Sequence, residues 1–382
     1  MSQHPSQHPA QRLPGLDLLR SIAILWVMLF HSFVVGGLDA DWQWLSRFGW
    51  AGVDIFFVLS GFLIGSQLLQ PLARGEPLGF AGFYARRAWR ILPAFAVMLL
   101  LYQVPQLREE PHIEPWWKFA TFTLNLTIDY GLNAAFSHAW SLCVEEHFYL
   151  LFPLLAAGLM RRPSARKTVA LFVGLVLLGI ALRAGIWLHD TATQPQRPWF
   201  IEDLYYPSWT RLDGLLVGVM LACLRVFRPA LWSRLQARAN LALVAGLILL
   251  TLALLLFRER TGLAANAVGW PLLSLGFGAL VLSASDTRGL LGRWTVPGVG
   301  WIATISYSLY LSHKMAMTLA QQWLLPLLPP LPSLANFAIY CAAVLAGGAL
   351  LHYGVERPGL HWRDARARAR ATAGPAMTLG MH

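Results

Sequence analysis

Chemistry is most legible where ionisable side chains interrupt apolar sequence. In Leu16-Asp17-Leu18-Leu19-Arg20-Ser21-Ile22-Ala23-Ile24-Leu25-Trp26-Val27-Met28-Leu29-Phe30-His31, an arginine and a histidine lie eleven residues apart. At about 100° per residue they share a helix face to within about 20°, with roughly 16 Å of axial rise between them. Ionisable groups are costly in hydrocarbon, so those inside a span are functional candidates by default. Three more apolar runs carry such groups. Ser137-His138-Ala139-Trp140-Ser141-Leu142-Cys143-Val144-Glu145-Glu146-His147 brings a histidine and two carboxylates to its start. Arg211-Leu212-Asp213 brings a guanidinium and a carboxylate, and Ser306, Tyr310 and His313 fall on one helix face. A histidine beside a carboxylate is an acid–base pair suited to neutral pH. The cluster Arg86-Arg87-Ala88-Trp89-Arg90 is purely cationic. Guanidinium groups beside an apolar channel suit a phosphate-bearing ligand.

The elements that position these groups follow from composition. The 382 residues are 56% hydrophobic and 13% charged, with seventeen Trp and mean hydropathy +0.51. A soluble domain carries about 25% charged residues. The class is an all-α, polytopic integral membrane protein. Ten spans can be drawn at 16–36, 50–70, 90–105, 140–160, 168–188, 207–225, 240–257, 264–284, 299–323 and 333–353. The first run is full-length and carries Arg20, so it is expected to remain a span rather than be cleaved. Residues 1–15 read as an N-terminal tail, 16–358 as the membrane domain and 359–382 as a basic, disordered tail. Cys143, Cys223 and Cys341 sit in apolar runs without disulfide or metal-ligand spacing, so no metal site is expected.

Net charge is +11. With a cytoplasmic N-terminus, twenty of the thirty Lys and Arg fall in inside segments and six in outside ones. This positive-inside bias places both termini in the cytoplasm. The basic excess is then an orientation signal with anionic lipid as its contact, and not a nucleic-acid surface. In that orientation His31, His138, Glu145, Glu146, Arg211, Asp213 and His313 share the outer half of the bundle. Arg20, Arg86, Arg87 and Arg90 share the inner surface. Two polar layers of opposite character suggest a donor entering from inside and chemistry nearer the outside. Paired Trp116-Trp117 beside Lys118, in the outside segment 106–139, fits a helix lying at the interface.

Each group also has a structural reading. Buried histidines can serve as interhelical hydrogen-bonding residues. The arginine cluster can be an orientation anchor, and Arg211 with Asp213 can be an ion pair holding helices together. Glu356-Arg357 reads as another such pair, and Gly214 and Gly218 as a small-residue packing face. Of Glu145 and Glu146, one is expected to work and the other to cap the helix start or face water. A transporter or exporter would also carry buried charges. It would more typically show internal repeats and broken spans, which are not evident here.

The chain resembles the membrane-bound acyltransferase 3 family, which O-acylates sugars of bacterial surface polysaccharides, lipopolysaccharide, glucans and some antibiotics. The resemblance rests on Arg20-x10-His31, Gly52-Val53-Asp54-Ile55-Phe56-Phe57-Val58-Leu59-Ser60-Gly61-Phe62-Leu63-Ile64 and Tyr84-Ala85-Arg86-Arg87-x2-Arg90-Ile91-x-Pro93. It continues through His138-x-Trp140-Ser141-Leu142-x2-Glu145-x2-Phe148-Tyr149, Arg211-x-Asp213-Gly214, Ser306-Tyr307-Ser308-Leu309-Tyr310-Leu311-x-His313 and Val355-Glu356-Arg357-Pro358. It implies an acyl-CoA donor, acetyl-CoA first among them, with no permanently bound cofactor. Transfer would go to a carbohydrate hydroxyl across the bacterial inner membrane. His31 would be the main catalytic residue, as general base or transient acyl carrier, with Glu145 at the family's acidic position. Arg20, Arg86, Arg87 and Arg90 would bind CoA. His138, Trp140, Ser141, Glu146, Arg211, Asp213, Tyr310 and His313 would meet the acceptor. Cys143 stands where many members have Ser or Ala. Many relatives carry a C-terminal hydrolase-like domain of the Ser-Gly-Asn-His type, which is expected to be missing here.

Overall fold

The computed structural model describes residues 13–35 and 42–372, and all regular structure among them is helical. The expected tails at 1–12 and 373–382 lie outside the described residues. The long helices are α1 (Pro14–His31), α2 (Gly52–Ala73), α3 (Phe80–Leu101), α4 (Trp140–Met160), α5 (Ala165–Thr193) and α6 (Asp213–Phe227). They continue as α7 (Pro229–Gln236), α8 (Ala239–Leu256), α9 (Trp270–Ala284), α10 (Val299–Leu319), α11 (Ser333–Leu351) and α12 (Arg357–Thr372). Local chemistry sets several starts. Pro14 opens α1, where its fixed φ suits the first helical turn. Ser164 caps α5 by accepting from the Lys167 N–H at 3.4 Å.

Every stretch expected to span is helical. Seven helices among the described residues are long and apolar enough to cross a membrane, or eight if α6 and α7, bent by 113°, count as one. The two that fall short, α3 and α10, carry three arginines and a row of Ser, Tyr, His and Lys, respectively. They are too polar because they hold the candidate site. From Ser308 to Thr318, α10 is buried on all sides, which makes it the central helix. On the periphery, Leu177, Leu247, Ile248 and Leu252 are all about half-exposed, as lipid-facing side chains must be.

Packing is organised around α10. It runs along α1 and α11, α1 also contacts α2, α2 lies along α6, and α8 pairs with α9. The α2–α6 contact needs glycine. A Cβ on Gly218 would lie 2.8 Å from Gly61 Cα and 2.6 Å from Phe62 N, both backbone atoms that cannot yield. Gly214 likewise faces Phe57, so the small-residue face read from the sequence is used as expected.

Two expectations about the C-terminal end are corrected. Residues 359–372 of the expected disordered tail belong to α12, which packs on α3, with Arg366 over the rings of Trp89 and Trp362. Alanine and arginine are strong helix formers, and this stretch alternates them. Glu356 does not pair with Arg357. A π-helical turn over His352–Glu356 points Glu356 inward, where it pairs with Arg90 and accepts from Ser308 Oγ at 2.6 Å. Arg357 faces out over the Tyr353 ring.

Candidate active site

Three histidines meet at one end of the bundle. His31 is the last residue of α1, His313 is on α10, and His138 sits in the tight turn Ser137–Ala139 that leads into α4. Ring centroids are 4.9 Å apart for His31–His313 and for His138–His313, and 6.3 Å for His31–His138. His313 Nε2 and His31 Nδ1 are hydrogen-bonded at 3.0 Å. His313 Nδ1 donates to the Tyr310 carbonyl at 2.7 Å, and His138 Nε2 donates to the Leu311 carbonyl at 3.3 Å. His138 and His313 are buried, whereas His31 is half-buried. Among the described residues no three His, Cys, Asp or Glu are placed to hold a metal.

A strained residue holds His138 in place. Phe136 adopts φ +57°, a left-handed conformation that costs a bulky residue on the order of 1 kcal/mol or more. Its ring stacks on Tyr102 at 4.2 Å and on Phe119 at 5.4 Å, and meets the His138 ring edge-on at 5.1 Å. Its N–H donates to Glu109 Oε1 at 3.1 Å, and Glu109 also pairs with buried Lys314 at 3.4 Å. Glu109 belongs to a loop without periodicity, so nothing in the sequence connected it to α10.

Beneath the histidines lies a cavity of about 160 Å³. Its upper end is lined by Ser141 and Tyr310. Tyr310 Oη donates to the His138 carbonyl at 2.7 Å. With that hydrogen committed, Ser141 Oγ donates to Tyr310 Oη at 2.6 Å. The same tyrosine thus forms the cavity's ceiling and part of the histidine cluster's floor. The lower end is lined by Arg20, Arg87, Arg90, Ser60, Glu145 and Tyr149. Arg87 lies over the Tyr149 ring, and Tyr149 bonds Ser60.

This geometry rearranges several expected roles. Glu145 is not beside His31. Seven residues of helix separate it from His138, which is roughly 10 Å of rise. That drop carries it to the arginine layer, against Ser60 and Tyr149 and within reach of the Arg20 and Arg87 charges. Glu146 shares that layer, half-buried and within reach of the Arg87 charge. Of the arginine cluster, Arg87 and Arg90 are three residues apart and share the cavity face. Arg86 is exposed on another face, and Arg90 is committed to Glu356.

Arg211 and Asp213 pair neither with each other nor with the histidines. Arg211 Nη2 donates to Asp54 on α2 at 2.8 Å, and its guanidinium lies 3.7 Å from the Trp270 ring centroid and 4.5 Å from that of Tyr205. Trp140 joins this aromatic box, stacked on Tyr206 at 5.0 Å. Asp213 accepts from Arg183 on α5 at 2.7 Å, and Arg183 also donates to the Asn266 and Thr210 carbonyls. One short motif therefore clasps two different helices to the start of α6. Asp54 and Arg183 were the partners that sequence reasoning missed. Each lies within an apolar run whose facing neighbour depends on packing alone.

The comparisons with known proteins give the family. A family model for an acyltransferase domain matches residues 13–353. The chain is 30% identical over 342 residues to YrhL of Bacillus subtilis, covering 83% of this chain and 50% of that protein. It is 27% identical over 342 residues to the peptidoglycan O-acetyltransferase OatA of Listeria monocytogenes, covering 82% and 51%. Against the O-acetyltransferase OatA of Staphylococcus aureus it is 34% identical over 230 residues, covering 55% and 34%. The chain spans about half the length of the first two. No solved structure matches it. The match over residues 13–353 contains every helix that builds the cavity and the histidine cluster, and the chain belongs to the membrane-bound acyltransferase 3 family.

Proposed function

We propose that this protein is an O-acetyltransferase of the bacterial inner membrane. It takes acetyl-CoA from the cytoplasmic side and transfers the acetyl group to a hydroxyl of an envelope glycan. In this reading ten helices cross the membrane and both termini are cytoplasmic. The observation that carries it is the cavity itself, with guanidinium groups at one end and Tyr310, which touches the histidine cluster, at the other. Arg20 and Arg87 would hold the CoA phosphates, and the pantetheine arm would run up the cavity toward Tyr310. The roughly 16 Å rise from Arg20 to His31 suits part of such an arm. His31 acts as general base. It takes the acceptor hydroxyl proton as the new O–C bond forms at the thioester carbonyl. The C–S bond breaks, and the CoA thiolate leaves as thiol with the proton from His31. The relatives' names make peptidoglycan the first acceptor to test.

The test supplies labelled acetyl-CoA to membranes carrying the intact chain or His31→Ala, with cell-wall glycan as acceptor, and measures alkali-labile O-acetyl esters. The intact chain should form ester and His31→Ala should not. Equal ester in both overturns the role of His31. Glycan translocation without any ester formation would establish an exporter instead.

A further inference from the structure

A general base needs one ring nitrogen bare and the ring held still. In a serine-type triad a buried carboxylate supplies the hold by accepting from Nδ1–H. Here the expected carboxylate, Glu145, is two turns away, and Glu109 is tied to Lys314 and to the Phe136 N–H. The hydrogen bonds at the cluster nevertheless fix the tautomers in sequence. A carbonyl oxygen only accepts, so His313 Nδ1, 2.7 Å from the Tyr310 carbonyl, carries its hydrogen. A neutral imidazole has one N–H, so His313 Nε2 is bare. It must accept across the 3.0 Å contact, which makes His31 Nδ1 the donor. His31 Nε2 is then the bare nitrogen.

We propose that His313 is the positioning residue for His31: it accepts from His31 Nδ1–H, fixes that tautomer, and leaves Nε2 to take the acceptor's proton. The inference rests on the reading of His31 as the base. When Nε2 gains the proton, the His31 imidazolium keeps donating from Nδ1 to the same acceptor, so the contact survives the step. Of the other groups facing the cluster, His138 and Lys314 do not compete for this role. His138 directs Nε2–H to Leu311, and its Nδ1 is buried without a partner. Lys314 can only donate. The Val27 carbonyl, one turn back on α1, also accepts from the His31 ring, and in the tautomer set by His313 the hydrogen it shares is the one on Nδ1. Phe30 meets that ring edge-on at 5.2 Å.

The test compares His313→Gln, His313→Asn and His313→Ala in the full chain in nanodiscs, in the assay that separates the intact chain from His31→Ala. Glutamine places a carbonyl oxygen near the position of Nε2 and keeps the acceptor. Asparagine reaches only the Nδ1 position and keeps the bond to Tyr310 alone. Gln should stay within about tenfold of the intact chain in kcat, while Asn and Ala lose about 10²- to 10⁴-fold, the scale of a wrong tautomer. KM for acetyl-CoA should stay unchanged in all three, which also shows that they fold. The inference is overturned if Asn retains more activity than Gln, if all three lose equally, or if KM rises in step with the loss of kcat. Full activity of His31→Ala would instead remove the reading beneath it.

Discussion

Breaking the clasp between α2 and α6 should expose an asymmetry between its two partners. Arg211 and Asp54 meet at 2.8 Å with side chains 1% and 4% exposed. Arg211→Met leaves Asp54 buried with both oxygens unpaired, since Oδ2 already lacks a partner. Such an orphaned charge costs about 3–5 kcal/mol. Loss of the guanidinium from the Trp270 and Tyr205 faces adds about 2 kcal/mol. Asp54→Asn is milder. The amide oxygen still accepts, and the rings still hold the cation, so the loss should be about 1–2 kcal/mol. The double variant contains no orphaned buried charge and should cost about 2 kcal/mol less than the two single changes together. In a chain of 382 residues each kcal/mol moves Tm by about 1–2 °C. Arg211→Met should therefore fall by about 5–14 °C and Asp54→Asn by only about 1–4 °C. Thermal unfolding in nanodiscs can be followed with a thiol-reactive dye, because Cys143 is 1% exposed until the bundle opens. If Asp54→Asn costs as much as Arg211→Met, or the double variant is additive, the rings and the ion pair do not act as one unit.

Other expectations concern the arginine end of the cavity and the packing. Arg20→Gln and Arg87→Gln each remove a charge-assisted contact worth about 1.5–3 kcal/mol, so KM for acetyl-CoA should rise about ten- to hundredfold with kcat preserved. Steady-state kinetics checks this, and a fall in kcat alone would place those arginines elsewhere. Arg90→Gln should lower Tm more than it raises KM, because it strips a partner from Glu356, which is 1% exposed. Glu145→Gln should leave the pH midpoint of kcat in place; a shift of about one unit would show about 1.4 kcal/mol of coupling to His31 that the geometry does not provide. Gly218→Val should abolish folded yield by driving into the α2 backbone, whereas Gly185→Ala, facing open space, should be silent. Size-exclusion profiles of the two variants decide the matter.

What the sequence disclosed divides along a physical line. Positions within one helix were legible, because rise and rotation per residue are fixed. The Arg20–His31 spacing, the shared face of Tyr310 and His313, and the glycine face of α6 all follow from that geometry. Partners between helices were not legible. Arg211 beside Asp213 invites a local pair, but the two side chains leave in different directions and find Asp54 and Arg183 on separate helices. Glu145 was placed too near His31 because the whole polar start of α4 was treated as one layer. Two turns of helix are enough to move a carboxylate from the histidine end to the arginine end. The arginine cluster was legible as a cationic surface, but not that Glu356 claims Arg90.

The bond between His31 and His313 joins residues 282 positions apart. In synthesis, α1 therefore waits for α10. Until α10 arrives, a growing chain holds Arg20, Arg87 and His31, but no ceiling over the cavity and nothing to steady the imidazole. A nascent chain has no closed site to work with, because the machinery closes only once α10 is in place. Long-range closure of this kind slows assembly. It also makes catalytic competence a report that the entire bundle has formed.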